Sequence, residues 1–225
     1  MELGADSAVR AIVLAGRGKA FCAGADLNAM RASAQASEAD NRADAQAMST
    51  LLHTLYTCPK PTIARVHGAC MAGGMGLVAA CDMAVASREA RFALTEIRLG
   101  LIPATISPYV LRAIGARAAS RWFLSAEGFD AAEAWRIGLV HELCEADGLD
   151  AQVNALLGSF MLASPHALAE AKRLIRDVAG RTIDAAVLDD TAARLAMQRA
   201  SADGQEGVAA FLEKRAPGWV PDAPE

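Results

Sequence analysis

Residues 66–82, VHGACMAGGMGLVAACD, and residues 92–109, FALTEIRLGLIPATISPY, decide the fold and the chemistry of this chain. The first segment places a glycine-rich turn at the start of a predicted helix, and the second places one acid, Glu96, on an otherwise apolar loop. An earlier turn of small residues, AFCAGADL at 20–27, contains Asp26, which we expect to cap a helix beginning at Leu27. Two such turns can each direct a free backbone N–H at one oxygen atom, and such a pair of donors stabilises negative charge that develops on that oxygen. A carboxylate beside that oxygen can then move protons.

The composition fits one globular domain over residues 1–225. The chain has 225 residues, of which 53% are hydrophobic, and this length is sufficient for a buried core. The net charge of −4 and the scattered basic residues argue against a nucleic-acid surface. No run of about 18 apolar residues predicts a membrane span, and residues 1–4 do not resemble a signal peptide.

The cysteines and histidines form no recognisable metal or disulfide pattern. Five cysteines occur without a C-x-x-C spacing, and four histidines are scattered without an H-E-x-x-H motif. We therefore predict no metal site, no disulfide framework and a cytoplasmic location. Cys22 and Cys70 flank the two turns and are interpreted as packing residues, because nothing nearby in the sequence would activate a thiolate. Asp82 is interpreted as a buried structural acid.

Strand and helix patterns alternate in the first part of the chain and predict an α/β core with mostly parallel strands. β-rich runs predict strands at residues 9–14, 62–67, 82–87 and 139–141. Helical spacing and capping residues predict helices after Ser37, through residues 77–81, from Ser107 to Gly115, and after Asp130.

The last third of the chain is predicted to be helical. Ser164 and Pro165 mark one helix start, and further helices are expected near residues 182–199 and 203–213. The apolar stripes of this part exceed what a lone helical tail exposes, so we expect it to pack on the core or on another subunit.

These segments together resemble the crotonase (enoyl-CoA hydratase/isomerase) superfamily. The resemblance is carried by residues 20–27, 68–82, 96–103 and 129–141, in the same order and without large gaps. It implies a spiral of β-β-α units over about residues 1–145, a helical C-terminal part over about 146–225, and assembly as a homotrimer or hexamer. It also implies an acyl-CoA thioester substrate, with no cofactor besides the coenzyme A of that substrate. The first strands of the family pattern have no counterpart ahead of residue 9. We expect either that strands from elsewhere in the chain neighbour the strand at residues 9–14, or that an upstream segment is missing.

The resemblance assigns roles to individual residues. Ala25 and Gly73 match the two positions whose backbone N–H groups form the oxyanion hole of the family, and Glu96 matches the second of two catalytic glutamates. Ala23 matches a position that contacts the adenine of coenzyme A through its backbone. Further contacts with substrate or coenzyme A are expected at Gly24, Asp26, Gly74 and Gly76.

Gly76 departs from the family pattern, because two-glutamate hydratases carry their first catalytic acid at this position. Glu96 could serve as base and then as acid in a hydration, or Ser107 or Tyr109 could replace the missing acid. The Δ3,Δ2-enoyl-CoA isomerases of the superfamily also carry one glutamate, which moves a proton between two carbons. We expect the glycine to leave room for a bulkier or charged acyl group.

Residues 74–78 and 102–110 are similar to bacterial methylglutaconyl-CoA and isohexenylglutaconyl-CoA hydratases. Those enzymes act in leucine and acyclic-terpene breakdown, on acyl groups that carry a second carboxylate. The resemblance therefore implies a hydratase for a substrate such as methylglutaconyl-CoA. A non-catalytic acyl-CoA-binding subunit remains an alternative, and Glu96 argues against it, because binding alone needs no acid on an apolar loop.

Overall fold

The computed structural model describes residues 2–221, which divide between two units. The larger unit comprises Ile12–Cys58 and Thr62–Asn154, and the smaller comprises Met1–Ala11, Pro59–Pro61 and Ala155–Glu225. Residue 1 and residues 222–225, which the one-domain prediction includes, lie outside the described residues. The assignment of residues 1–225 to a single domain stays a prediction.

Helices and strands alternate along the chain before the helical C-terminal part. In order they are α1 (Glu2–Ala5), β1 (Ile12–Ala15), α2 (Leu27–Ser33), α3 (Glu38–Tyr56), β2 (Thr62–Val66), β3 (Ala69–Met71), α4 (Gly73–Ala80), β4 (Met83–Ser87), β5 (Arg91–Ala93), α5 (Ser107–Ser125), β6 (Phe129–Asp130), α6 (Ala131–Arg136), β7 (Glu142–Cys144), α7 (Leu149–Met161), α8 (Pro165–Val178), α9 (Ala185–Ala200) and α10 (Ala202–Glu213).

The larger unit is built on a four-stranded parallel sheet in the order β1-β2-β4-β7. The register pairs Ile12 with Thr62 and Ile63 with Met83. The central strands β2 and β4 are buried almost along their whole length, as expected for parallel strands covered on both faces. The predicted α/β class with mostly parallel pairing is confirmed.

A second, smaller sheet has the order β3-β5-β6, with β3 parallel and β6 antiparallel to β5. These strands contain only two or three residues each, and the sequence did not predict them. Phe92 pairs with Cys70 on one side and with Phe129 on the other. The rings of Phe92 and Phe129 stack with their centroids 5.6 Å apart, so aromatic packing holds this sheet together.

Several helix starts follow the predicted capping chemistry. The Asp26 carboxylate accepts hydrogen bonds from the N–H groups of Asn28 and Ala29, at 2.9 and 3.0 Å. Ser37 and Asp130 likewise accept from backbone N–H groups at the starts of α3 and α6. These predictions were correct because a cap is a local interaction between residues two or three positions apart.

Two boundaries differ from the predictions. The strand predicted at 139–141 lies instead at 142–144, because the N–H groups of Leu139 and Val140 donate to the carbonyl of Ala134 at the end of α6. Ser107 does not cap α5: it is the first helical residue, and its hydroxyl donates to the carbonyl of Ala104. By contrast, the predicted helix end at Gly115 is confirmed: its φ of 73° and ψ of 159° are not helical, and a second helical segment follows this kink and runs to Ser125.

The smaller unit is helical, as predicted. Ser164 caps α8 by accepting from the N–H of Ala167, and Pro165 occupies the first turn. Arg10 ties the N-terminal segment to this unit, donating to the carbonyls of Trp219 at 3.1 Å and Ala163 at 2.9 Å. None of the helices among residues 2–221 is both long enough and apolar enough to cross a membrane.

Candidate active site

The first predicted turn is fixed by main-chain hydrogen bonds to β3 and the residues before it. The Phe21 N–H donates to the carbonyl of His67 at 2.8 Å, and the Cys22 N–H donates to that of Ala69 at 3.0 Å. The Met71 N–H donates to the carbonyl of Cys22 at 2.9 Å. The segment that leads into residues 23–26 therefore continues the small sheet as one further parallel bridge.

The second turn depends on an unusual backbone conformation at Ala72. Its φ of 48° and ψ of −116° are close to the first central position of a type II′ turn, about +60° and −120°, which favours glycine. The Ala72 N–H donates to the carbonyl of Ala93 at 2.9 Å, and the Ala72 carbonyl accepts from the Met75 N–H at 2.9 Å. These bonds fix the peptide that joins Ala72 to Gly73, and with it the direction of the Gly73 N–H.

The two turns pack directly against each other. A Cβ at position 74 would lie 2.7 Å from Cβ and 3.2 Å from Sγ of Cys22, so only glycine fits between the start of α4 and the first turn. Gly74 is therefore buried, whereas Ala23, Ala25 and Asp26 are exposed and Gly24 is half-buried.

The N–H groups of Ala25 and Gly73 donate to no acceptor within residues 2–221. Ala25 lies in the loop ahead of α2, and Gly73 is the first residue of α4, whose N–H has no partner inside the helix. The helix dipole adds positive potential at Gly73. Two free donors on adjoining turns are what an oxyanion hole requires, and their roles there stay predictions.

Glu96 begins a short 3₁₀ helix, Glu96–Leu99, that follows β5. Its strand is anchored beside the second turn by the hydrogen bond from Ala72 to Ala93, three residues earlier. One carboxylate oxygen, Oε2, is buried and has no hydrogen-bond partner among the residues that the structure describes. Burial raises the pKa of the Glu96 carboxyl above the ordinary glutamate range, and a hydrogen bond from its own backbone N–H offsets part of that rise. An unpaired, partly desolvated carboxylate of this kind is suited to proton transfer.

Gly76 does not leave the room that the sequence suggested. A Cβ at this position would lie 2.2 Å from Cγ2 and 2.7 Å from Cβ of Ile106, the residue that precedes α5. Both residues are buried, and Ile106 is only 2% exposed. The expectation of an open space for a bulky or charged acyl group at Gly76 was wrong, because Ile106 fills that space.

The structure does not favour Ser107 or Tyr109 as replacements for the missing acid. The Ser107 hydroxyl donates to the carbonyl of Ala104 at 2.8 Å. The ring of Tyr109 packs edge-on against Tyr56 with centroids 5.4 Å apart, and burial raises the pKa of its phenol. The Ser107 side chain is thus engaged in a local hydrogen bond, and the Tyr109 side chain in aromatic packing.

The other chemically active residues near the site have structural partners. The Asp82 carboxylate accepts from the N–H and the hydroxyl of Thr62, at 2.8 and 2.9 Å, which agrees with a structural acid. Cys70 is fully buried, and burial raises the pKa of its thiol, so it is a poor nucleophile. Among the described residues, no cluster of three or more His, Cys, Asp or Glu side chains could hold a metal ion.

Two features of the site escaped the sequence analysis. Nothing in the identity of Ala72 announces a positive φ, since alanine favours negative values. The contact joins Gly76 of α4 to Ile106, 30 residues further along the chain and just ahead of α5, and the only sequence signal was a glycine in place of an expected acid.

Comparison with known proteins identifies the family. The sequence matches the profile of the enoyl-CoA hydratase/isomerase family over residues 1–221. A candidate enoyl-CoA hydratase of Thermus thermophilus is 37% identical over 216 residues, which cover 96% of this chain and 85% of that protein. An enoyl-CoA hydratase structure from Shewanella pealeana is 42% identical, with a TM-score of 0.94 covering 97% of this chain and 82% of that chain. The 2,3-dehydroadipyl-CoA hydratase of Escherichia coli is 32% identical over 213 residues, 94% of this chain and 81% of that protein.

This chain belongs to the enoyl-CoA hydratase/isomerase family. The membership confirms the superfamily expected from residues 20–27 and 68–82, together with its α/β fold and its class of enzyme.

Proposed function

We propose that this enzyme adds water across the α,β-double bond of an acyl-CoA thioester, with Glu96 as its one proton-transferring carboxylate. The observation that carries the proposal is the buried, unpaired Oε2 of Glu96, held beside a turn with a free N–H. Ala25 and Gly73 donate their N–H groups to the thioester oxygen. Ala23 contacts the coenzyme A moiety through its backbone.

In the proposed reaction Glu96 acts first as base and then as acid. The carboxylate takes a proton from water while the water oxygen bonds to the β-carbon, and the π electrons move onto the thioester oxygen. The N–H groups of Ala25 and Gly73 stabilise the resulting enolate. Glu96 then returns its proton to the α-carbon, and the carboxylate is regenerated. The raised pKa of Glu96 supports the first step, because it makes the carboxylate a stronger base than an exposed glutamate.

For the acyl group we propose a chain with a second carboxylate, as in methylglutaconyl-CoA. The support is the similarity of residues 74–78 and 102–110 to hydratases of that branch. The relative named for 2,3-dehydroadipyl-CoA, the thioester of a dicarboxylic acid, points to the same class. We further propose a homotrimer or hexamer, which sedimentation equilibrium would test.

The contact of Ile106 with Gly76 favours one second candidate, Δ3,Δ2-enoyl-CoA isomerisation. Because Ile106 fills the place of a second acid, one carboxylate must do all the proton transfer. Moving a proton between two substrate carbons needs only one such group. Hydration requires the same carboxylate to take a proton from water and then to give a proton to the α-carbon.

The experiment is a panel of 2-enoyl, 3-enoyl and glutaconyl thioesters of coenzyme A, followed by ultraviolet absorbance. Hydration removes the conjugated chromophore, whereas isomerisation of a 3-enoyl thioester creates it. We expect loss of absorbance with the 2-enoyl and glutaconyl substrates, and faster loss with the glutaconyl thioester. A gain with the 3-enoyl substrate alone would establish the isomerase, and binding without turnover would establish a non-catalytic subunit.

Two variants connect the turnover to the site. Glu96→Gln keeps the shape of the side chain and removes the base, so we expect a loss of about 10²–10⁴-fold in kcat with binding retained. Glu89→Gln makes the same change at an exposed glutamate between β4 and β5 and should leave kcat unchanged. A Glu96→Gln variant with more than about a tenth of the wild-type kcat would remove Glu96 from the mechanism.

A further inference from the structure

The histidine that precedes the glycine-rich segment contacts the loop ahead of the first turn. His67 follows β2, and its Nε2 lies 2.9 Å from the carbonyl oxygen of Gly18. A carbonyl oxygen only accepts hydrogen bonds, so Nε2 is the nitrogen that carries the hydrogen. The other ring nitrogen, Nδ1, is buried and has no hydrogen-bond partner in the described part of the chain. An apolar ring at position 67 would fill the same space and would leave no buried nitrogen unpaired. What the imidazole provides beyond such a ring is its hydrogen bond to the Gly18 carbonyl.

His67 holds this loop at two places. Its side chain donates to the carbonyl of Gly18, and its own carbonyl accepts from the N–H of Phe21 at 2.8 Å. Between these bonds, the Lys19 carbonyl oxygen lies 2.1 Å from where a Cβ on Gly68 would be. The loop is thus packed closely against residues 67 and 68, and it leads within a few residues to the free N–H of Ala25.

Main-chain hydrogen bonds after residue 21 connect the position of this loop to the geometry of the candidate site. The bonds from Cys22 to Ala69 and from Met71 to Cys22 join the first turn to the strand that ends at Ala72 and Gly73. A shift of residues 18–21 would therefore change the separation of the N–H groups of Ala25 and Gly73. In the described chain, the bond from His67 is the one side-chain hydrogen bond that joins residues 16–26 to residues 66–74.

We infer that His67 is a positioning residue for the oxyanion hole, acting through the loop of residues 16–22. The inference rests on the proposed function, in which Ala25 and Gly73 hold the thioester oxygen. His67 touches no reacting atom in this scheme. The side chain sets the geometry of the two N–H donors, whose hydrogen bonds to the thioester oxygen are stronger in the transition state than in the ground state. Loss of the imidazole should therefore lower kcat more than it raises KM.

The test compares His67→Leu, which removes the donor, with His67→Gln, whose amide nitrogen can reach the Gly18 carbonyl. Turnover is measured well below the unfolding temperature of each variant. We expect His67→Leu to lower kcat by about tenfold or more with KM within about threefold, since small misplacements of reacting groups are costly. His67→Gln should recover kcat to within about threefold of the wild type. His53→Leu, at an exposed histidine of α3, is the matched control and should behave as wild type.

Two further readouts separate positioning from simple loss of stability. The enolate absorbance of bound acetoacetyl-CoA reports polarisation of the thioester oxygen, and we expect it to weaken in His67→Leu and return in His67→Gln. Amide hydrogen exchange over residues 16–26 should accelerate in His67→Leu alone. Wild-type kcat and exchange in His67→Leu, or equal kcat losses in the Leu and Gln variants, would overturn the inference. If the wild type turns over no thioester, the proposed function fails, and hydrogen exchange alone decides whether His67 orders this loop.

Discussion

Replacing Gly76 with alanine tests whether Ile106 occupies the place of the second acid. The new methyl group would lie 2.2 Å from Cγ2 and 2.7 Å from Cβ of Ile106, where ordinary contacts begin near 3.4 Å. Ile106 is 2% exposed and cannot turn into solvent, so we take the upper part of the overpacking range, about 3 kcal/mol. Alanine gains about 1 kcal/mol over glycine inside a helix, so the expected net loss is about 2 kcal/mol.

Gly158 provides the matched control. It lies inside α7, and a Cβ there would meet no atom within 4 Å. Gly158→Ala should therefore stabilise the protein by about 0.5–1 kcal/mol, from the backbone effect alone. The same substitution is thus expected to have opposite signs at two helical glycines.

A double-mutant cycle with Ile106→Ala isolates the contact. This second change removes Cγ2 but keeps Cβ, so it should reduce the penalty of Gly76→Ala by about 1–2 kcal/mol while itself costing about 2–5 kcal/mol. The assay is urea unfolding followed by circular dichroism, with free energies compared at a common slope. An interaction free energy of zero between positions 76 and 106 would refute the packing that we describe.

The same contact decides what happens when the second acid is restored. A glutamate at Gly76 has the overlapping Cβ of alanine and in addition places a carboxylate in a buried, apolar environment. We expect Gly76→Glu to lose more stability than Gly76→Ala and to gain no activity. In the Ile106→Ala background the carboxylate has more room, and only there can hydration of a short neutral enoyl thioester increase. A Gly76→Glu protein as stable as Gly76→Ala would contradict this reasoning.

Three further predictions concern residues of the two units. Because the folded-state pKa of Glu96 is raised, the wild type should lose stability relative to Glu96→Gln as the pH rises through that pKa. The kcat/KM of the wild type should fall as the pH drops through the same pKa. Urea midpoints of the two proteins that coincide from acidic to neutral pH would exclude the effect on stability. Ala72→Gly should stabilise the protein by about 1 kcal/mol, because glycine adopts the positive φ without strain. The same change should lower kcat, because a more flexible residue no longer fixes the direction of the Gly73 N–H. The unfolding temperature should therefore rise while kcat falls. Arg10→Leu should cost about 2–3 kcal/mol by leaving the carbonyls of Trp219 and Ala163 without their charged donor, and an unchanged unfolding midpoint would show that those bonds contribute nothing.

Local chemistry was well predicted from the sequence because its determinants are close together in the chain. The caps at Asp26, Ser37 and Ser164 involve side chains that bond two or three residues ahead. The central strands β2 and β4 are short, mostly apolar segments between turn residues. Such patterns are sufficient for the α/β class and for the helical C-terminal part.

The missed elements depend on partners that are distant in the sequence. The strands β3, β5 and β6 are too short for a periodic pattern, and they exist because residues near 70, 92 and 129 meet in space. Leu139 and Val140 resemble a strand in composition, but the bonds to the Ala134 carbonyl hold them in the turn after α6. In both cases tertiary hydrogen bonds, and not the intrinsic strand propensity of the residues, decide the backbone conformation.

The candidate site shows the same division between local and distant determinants. A single acid on an apolar loop could be recognised at Glu96 from neighbouring residues alone. The oxyanion hole is different, because its donors belong to the main chain and any residue except proline provides an N–H. Within residues 2–221 no group accepts from the N–H groups of Ala25 and Gly73, and their turns pack against each other, which only the folded chain determines.

A site made of main-chain donors also dictates how it can be tested. Only proline removes a backbone N–H, and it also restrains the backbone torsion angles. The contribution of each donor is therefore measured more cleanly through the residues that hold it in place. Ala72 fixes the peptide of Gly73 by its torsion angles, and His67 fixes the loop that leads to Ala25 by one hydrogen bond. The two act on opposite turns that meet at Gly74 and Cys22, where a methyl group would not fit. Substitutions at positions 67 and 72 should therefore be non-additive in kcat, because each disturbs the separation of the same pair of donors, and additive effects would mean that the turns move independently.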